Sequence, residues 1–197
     1  EGQSDGSIRR MFTGNYKDQW EHNVEMELKR VNPAAEMLSV DFGDPYDYQK
    51  EPIRIVISYR VTGYAVVNGD EMIVKSFIAS GFLRRSIGNL MIDTHAETKI
   101  YPFRDRCSRQ VQLTESITLP GKYQVIYKPE AETFSDTTAS YEGSYEMSLD
   151  GNTLRMSQLA NFNKRIYQPK EWPSFRKATL AETKFIDEPV VLKKMVN

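Results

Sequence analysis

The chain has 197 residues, of which 26 are Lys or Arg and 27 are Asp or Glu, so the net charge is −1. With 40% hydrophobic and 11% aromatic residues, it is expected to fold around a sizeable core as one domain or slightly more. The near-zero charge argues against a nucleic-acid-binding arm or a polybasic membrane surface. The single cysteine, Cys107, excludes an internal disulfide and a cysteine-rich zinc site.

The sequence contains no apolar leader segment and no apolar run of about 18 residues, so we expect neither a signal peptide nor a membrane span within it. Because the chain begins at Glu1 without an initiator methionine, we expect a mature start or a fragment of a longer polypeptide. The cysteine content fits either the cytoplasm or a disulfide-poor exported protein.

The first predicted element is an amphipathic helix, whose apolar residues recur at helical spacing: Tyr16, Trp20, Val24, Leu28 and Val31. Asn32-Pro33 is expected to end it, because the residue before a proline is pushed out of the α region. Ahead of the helix, Ile8, Met11 and Phe12 have no alternating partners. We expect Ser7–Thr13 to pair as an edge strand or to lie partly exposed beside the helix, and these three apolar residues to form an interface with a neighbouring domain. Their exposure would favour weak self-association.

The middle of the chain is predicted to form short strands separated by turns. Ile53, Ile55, Ile57, Tyr59 and Val61 alternate with mostly polar residues, which is typical of a strand with one buried face. Asn68-Gly69 predicts a type I′ hairpin turn before a returning strand at Met72–Phe77. Residues 79–95 are expected to be a loop with short strand pieces. Further strands are predicted at Tyr101-Pro102-Phe103, Val111–Leu119 and Tyr123–Tyr127.

A second hairpin is predicted around Asp150-Gly151. A two-residue loop would pair Leu149 with Asn152, Met147 with Leu154, Tyr145 with Met156 and Tyr141 with Ala160. In this register every apolar residue falls on one face, and Glu146 lies opposite Arg155 on the other face as a cross-strand pair of opposite charge.

A C-terminal helix and a final strand complete the predicted elements. Gln168-Pro169 opens the helix and Glu188-Pro189 ends it. Its apolar stripe consists of Trp172, Phe175, Ala178, Ala181 and Phe185, and Val190-Val191-Leu192 is a short strand followed by two lysines. Because the strands cluster in the middle of the chain, the pattern favours a mainly β fold, an antiparallel β-sandwich with an N-terminal helix and a C-terminal helix packed on it.

The residues that could carry chemistry form no recognisable catalytic or metal-binding motif. Cys107 lies among arginines that would lower a thiol pKa, but a cysteine nucleophile needs a histidine base, and His22 and His95 lie in other predicted elements. Asp41-Phe42-Gly43-Asp44 lacks the ligand spacing of an EF-hand, so we expect a turn there. We therefore predict no catalytic residue, no cofactor and no metal.

Tyrosines offer two interpretations. Tyr46, Tyr48, Tyr59, Tyr64 and Tyr101 are candidates for an aromatic platform on which a glycan stacks. Tyrosine is also an ordinary strand residue, and packing accounts for the same positions.

The order of motifs in the second half resembles one known module. The segments are Tyr101-Pro102-Phe103, Ile117–Val125 around Pro120-Gly121, the hairpin Tyr141–Met156, Gln168–Arg176 and Val190–Lys194. Together they resemble the C-terminal β-domain of unknown function that follows the transglutaminase-like core in bacterial exported transglutaminase-like proteins. The resemblance carries over no catalytic residue, because that core has Cys, His and Asp in this order, whereas both histidines here precede Cys107.

The resemblance implies a linker segment with the amphipathic helix at 1–34 and a β-sandwich domain with the C-terminal helix at 35–197. It implies a non-catalytic accessory module of a larger protein in the periplasm or at the cell surface, whose partner is an adjacent transglutaminase-like or protease-like domain. A stand-alone glycan- or peptide-binding, adhesin-like β-sandwich is the alternative, and a cysteine-dependent enzyme is a third hypothesis. An exposed row of tyrosines would favour binding, an apolar patch at the N-terminal end would favour the accessory role, and a buried Cys–His contact would favour the enzyme.

Overall fold

The computed structural model describes residues 2–48, 52–82 and 92–195, so the predicted loop at 79–95 lies partly outside the described residues. The chain divides into two compact units, one drawn from Glu1–Tyr64 and Gly81–Gly88, the other from Ala65–Ser80 and Asn89–Asn197. The predicted boundary between residues 34 and 35 stays a prediction. None of the helices in the described stretches combines the length and the apolarity that crossing a bilayer requires.

The described residues of the first unit form two α-helices, a short 3₁₀ helix between them (Lys17–Gln19) and two strands: α1 (Gly2–Thr13), α2 (Trp20–Val31), β1 (Ala35–Asp41) and β2 (Val56–Val61). The predicted amphipathic helix is confirmed as α2, which buries Trp20, Val24 and Leu28 and ends at Asn32. Tyr16 precedes it and is exposed. β1 and β2 are antiparallel, and their inward side chains pack against a core centred on Phe12, Trp20 and Val24.

The expectation of an edge strand at Ser7–Thr13 was wrong, because this segment is part of α1. Ile8, Met11 and Phe12 stand at i, i+3 and i+4, which places them on one face of a helix. This spacing was the sequence signal for α1. Phe12 is fully buried, with its ring centroid 5.6 Å from that of Trp20. The indole N–H of Trp20 donates to the carbonyl of Phe12 at 2.8 Å, which joins the two helices.

The second unit contains ten strands and one long helix in its described residues. The strands are β3 (Val66–Asn68), β4 (Glu71–Val74), β5 (Phe103–Arg104), β6 (Arg109–Thr118), β7 (Tyr123–Tyr127), β8 (Glu132–Ser135), β9 (Ala139–Met147), β10 (Thr153–Phe162), β11 (Ile166–Tyr167) and β12 (Val190–Lys194), and the helix is α3 (Trp172–Asp187). One sheet has the order β6-β10-β9-β8 and is called the hairpin sheet; the other has the order β3-β4-β12-β7 and is called the terminal sheet. β5 and β11 pair with each other as a separate two-stranded sheet.

The two four-stranded sheets and α3 share one core. The hairpin sheet contributes Tyr141, Leu154 and Met156, and the terminal sheet contributes Val190 and Leu192. The predicted buried stripe of α3 is confirmed: Trp172, Phe175, Ala178 and Phe185 are buried, and Ala181 packs partly buried against the same core. The predicted fold class, mainly β and antiparallel with an N-terminal and a C-terminal helix, is therefore confirmed.

The predicted register of the second hairpin is confirmed. Met147 pairs with Leu154, Glu146 with Arg155, Tyr145 with Met156 and Tyr141 with Ala160. The loop is longer than predicted, because the last bond across it joins the Ser148 N–H to the Thr153 carbonyl at 2.8 Å. Leu149 consequently lies in the turn, fully exposed, and the prediction that it shares the buried face was wrong.

The turn between β3 and β4 is displaced by one residue from its predicted position. Asn68 pairs with Glu71, so Gly69 and Asp70 form the loop instead of Asn68 and Gly69. Gly69 has φ of 59°, which suits the first central residue of a type II′ turn.

One glycine in β9 allows α3 to approach the sheet. A Cβ on Gly143 would lie 2.6 Å from the Tyr141 hydroxyl and 3.0 Å from Cγ of Phe185. Since Phe185 is buried on α3, any side chain at this position must displace the helix or the tyrosine ring.

Candidate functional site

The predicted interface residues Ile8, Met11 and Phe12 lie on the inward face of α1. Phe12 is fully buried within its own unit, and Ile8 and Met11 are partly buried against the same core. Of these three residues, Ile8 and Met11 therefore retain surface that a neighbour could cover. Their assignment to an interface between domains stays a prediction.

Cys107 lies, half-buried, in the loop between β5 and β6. The loop is held by a buried ion pair, in which Nη1 of Arg109 is 2.7 Å from Oδ2 of Asp105. His22 and His95 are both exposed, and no Cys–His hydrogen bond forms among the residues that the structure describes. The arrangement accounts for the loop structurally and supplies Cys107 with no positioned base.

The carboxylates near residue 41 organise a turn. Oδ1 of Asp41 accepts the Gly43 N–H at 3.0 Å, and Oδ1 of Asp44 accepts the Tyr46 N–H at 2.8 Å. Gly43 has φ of 58°, as this turn requires. Over 2–48, 52–82 and 92–195, no group of three or more His, Cys, Asp or Glu side chains is placed to hold a metal ion.

Two of the candidate platform tyrosines are exposed on one loop of the first unit. The ring of Tyr46 lies 6.0 Å from that of Trp20, and the ring of Tyr48 lies 5.4 Å from the guanidinium carbon of Arg9. Tyr59 pairs with Met37 across β1 and β2, and Tyr101 belongs to the second unit. Tyr46 and Tyr48 therefore each make one ring contact within the first unit and stay more than half exposed.

The terminal sheet is apolar on both faces. Its inward row is Met72, Leu192 and Val125, and the neighbouring row, which points away from the core, is Val66, Ile73, Val191 and Tyr127. Val66 is 62% exposed, Ile73 is 37% exposed and Tyr127 is 45% exposed. The pairing of β7 with β12 shifts register between Val191 and Leu192, which leaves Ile126 as an extra, exposed residue. We call the surface formed by Val66, Ile73, Ile126, Tyr127 and Val191 the outer face.

A cleft of about 240 Å³ adjoins the outer face at Tyr127. It is lined by Tyr127, Pro129, Glu130, Glu132, Lys184, Phe185 and Glu188, and we call it the acidic cleft. Its three carboxylates outnumber its one ammonium group by two. Lys184 forms an ion pair with Glu132, and the hydroxyl of Tyr127 donates to Oε2 of Glu188 at 2.7 Å.

These contacts move two pKa values in the acidic cleft. The hydrogen bond to Glu188 raises the pKa of Tyr127, because the bond is to the protonated phenol and the carboxylate opposes a phenolate. The ion pair with Glu132 raises the pKa of Lys184. Both groups therefore keep their protons at neutral pH, and the cleft keeps its excess of carboxylates.

A second acidic group, Glu115 on β6, is partly buried. Its carboxylate accepts hydrogen bonds from the Ser76 hydroxyl and the Phe77 N–H, and its Oε2 is buried without a partner. Burial raises the pKa of Glu115. These hydrogen bonds connect the segment after β4 to β6. Because Glu115 is a single carboxylate, the arrangement indicates a structural role.

Sequence reasoning missed both the outer face and the acidic cleft. The run Val190-Val191-Leu192 carried a signal for the outer face, because a strand apolar on successive positions is typical of a sheet covered on both faces. The acidic cleft had no sequence signal, since its carboxylates come from two segments far apart in the chain: Glu130 and Glu132 around the start of β8, and Glu188 after α3.

Comparisons with known proteins identify a family and one distant structure. The family described as a domain of unknown function with a solved structure, DUF3858, matches residues 74–192. No curated protein matches the sequence. A solved structure of a putative protease from Parabacteroides distasonis is 13% identical over 50% of this chain, with a TM-score of 0.44. The match covers 19% of that protein, about a fifth of its length. Because the family match spans more than half of the chain, this protein belongs to the DUF3858 family.

Proposed function

We propose that this chain is a non-catalytic accessory module of a larger exported protein, located in the periplasm or at the cell surface. In this role it supports, orients or presents an adjacent transglutaminase-like or protease-like domain. The ordered motifs from Tyr101-Pro102-Phe103 to Val190–Lys194 support the proposal, since they resemble the β-domain that follows a transglutaminase-like core.

The observation that carries the proposal is the apolar outer face. An antiparallel sheet that covers a core on one side normally presents polar side chains on the other. Here Val66, Ile73 and Tyr127 stand in one cross-strand row and are exposed. Large contiguous apolar patches of this kind mark interaction sites on soluble proteins. A docked domain would remove these side chains from water.

Hydrogen exchange in the intact parent polypeptide tests the proposal. We expect slower exchange at 66–74 and 123–127 in that polypeptide than in this chain alone, because docking covers the outer face. Slower exchange confined to the hairpin tip at Leu149–Asn152 would place docking elsewhere and contradict it. If exchange is unchanged everywhere, the stand-alone glycan- or peptide-binding alternative takes precedence.

A further inference from the structure

We infer that the outer face docks a protein surface that is apolar at its centre and basic along one side, and that the acidic cleft receives an arginine or lysine side chain of that surface. The inference rests on the proposed docking role and specifies the chemistry of the partner.

The outer face and the acidic cleft form one continuous surface, because Tyr127 belongs to both. Its ring ends the apolar row Val66, Ile73 and Val191, and its hydroxyl binds Glu188 in the cleft. A partner that covers Ile73 and reaches the end of this row must therefore also meet the carboxylates. Charge complementarity at such a rim selects the partner and fixes its orientation.

Lys184 is the one cation among the described residues that line the cleft, and it does not balance the three carboxylates. Lys184 is already paired with Glu132, and Lys128, which directly follows β7, is turned away and donates to the Tyr145 carbonyl at 2.8 Å. Glu130 is exposed at the mouth of the cleft. The site thus keeps a net negative charge that a cation from outside would balance.

The size and floor of the cleft fit one long basic side chain. Its volume of about 240 Å³ lies below the range of roughly 300–1,000 Å³ that is typical of small-molecule pockets. Buried Phe185 and Pro129 supply apolar floor, which suits the methylene stem of an arginine or lysine whose charged end meets carboxylates.

Two other ways of covering this surface are disfavoured. The bulge at Ile126 interrupts the edge of β7, and bulges oppose the addition of a further strand. A second copy of this chain in a two-fold contact centred on the cleft would bring like charges together. The observations therefore favour a different protein surface that approaches the face of the sheet.

Charge reversal in the intact parent polypeptide provides the test. We expect Glu130→Lys to raise the exchange rate at 123–127 about tenfold, because it replaces attraction by repulsion at the rim. Glu130→Gln should have a smaller effect, and added salt should weaken the protection of the wild type. The matched control is Glu142→Lys, at an exposed position of β9, which changes the net charge equally and should leave this exchange unchanged.

A second arm separates this inference from the proposed function. Ile73→Lys places a charge in the outer face and should remove the protection, whereas Leu149→Lys at the exposed hairpin tip should not. If Ile73→Lys acts and Glu130→Lys does not, the partner is not basic and only this inference fails. If the wild type shows no protection, the proposed function fails too. Protection that disappears on dilution would identify a second copy as the occupant and overturn the inference.

Discussion

Phe175 on α3 is the position where one substitution tests the shared core of the second unit most directly. The side chain is fully buried. Its ring centroid lies 5.0 Å from those of Phe103 and Tyr167, 5.1 Å from that of Phe162 and 5.9 Å from that of Trp172. It therefore joins α3 to the β5–β11 pair and to the end of β10.

The expected cost of Phe175→Ala follows from this environment. Truncation of a buried phenylalanine costs about 3–5 kcal/mol, and the loss of several aromatic contacts places this site toward the upper end. For a chain of this length each kcal/mol lowers the melting temperature by about 2–4 °C, so we expect a decrease of about 10–15 °C.

Thermal unfolding followed by calorimetry measures the change, with urea unfolding as an independent check. Lys177→Ala is the matched control, because Lys177 is exposed on the same helix and its loss should change stability by less than about 0.5 kcal/mol. If Phe175→Ala and Lys177→Ala melt at the same temperature, α3 does not carry the core and the packing argument is refuted.

Three further predictions concern backbone space, pH and the Cys107 loop. Gly143→Ala should destabilise by about 1–3 kcal/mol because its Cβ collides with the aromatic rings around it, whereas Gly121→Ala, which has open space, should be neutral; urea midpoints decide. Burial raises the pKa of Glu115 above its ordinary value of 4.5, so the ionisation of this group opposes folding as the pH rises above 4.5. Glu115→Gln should therefore gain stability relative to wild type as the pH rises above 4.5 in paired melting curves, and a constant difference would contradict this. Asp105→Ala should lower the free energy of unfolding by about 3–5 kcal/mol, because it removes the carboxylate that is paired with the buried guanidinium of Arg109. Cys107→Ser, in contrast, should change stability little, and no peptide or amide turnover by this chain should be lost in this variant.

The hairpin register was predictable because two independent patterns agreed on it. Tyr145 opposite Met156 satisfied the buried face, and Glu146 opposite Arg155 satisfied the exposed face, so a slip by one residue would have violated both. The loop was less predictable. Extending the tip beyond Ser148 exposes Leu149 without disturbing any pair below it, so the strand pattern does not determine the length of the loop.

The first helix, α1, was predicted incorrectly, unlike the hairpin register. Ile8, Met11 and Phe12 carry helical spacing, but because they have no alternating partners, the segment was expected to pair as an edge strand or to lie partly exposed beside the helix. Tertiary packing stabilises the helix, since Phe12 packs against Trp20 and against Phe42, and Phe42 lies far along the chain.

The outer face and α1 differ in how much apolar surface a docked neighbour would cover. Phe12 already packs inside its own unit, so a neighbour that docks at α1 would gain little apolar surface from it. Ile73 and Tyr127 are exposed in a strand arrangement that otherwise belongs to a covered sheet, so a neighbour that docks there would remove several large apolar groups from water, each contributing about 1–2 kcal/mol. Because hydrogen exchange reports the two segments separately, protection at 66–74 and 123–127 without protection in α1 would assign the docking surface to the terminal sheet. Protection in α1 alone would instead support the interface predicted from Ile8, Met11 and Phe12, and would leave the apolar outer face without a physical explanation.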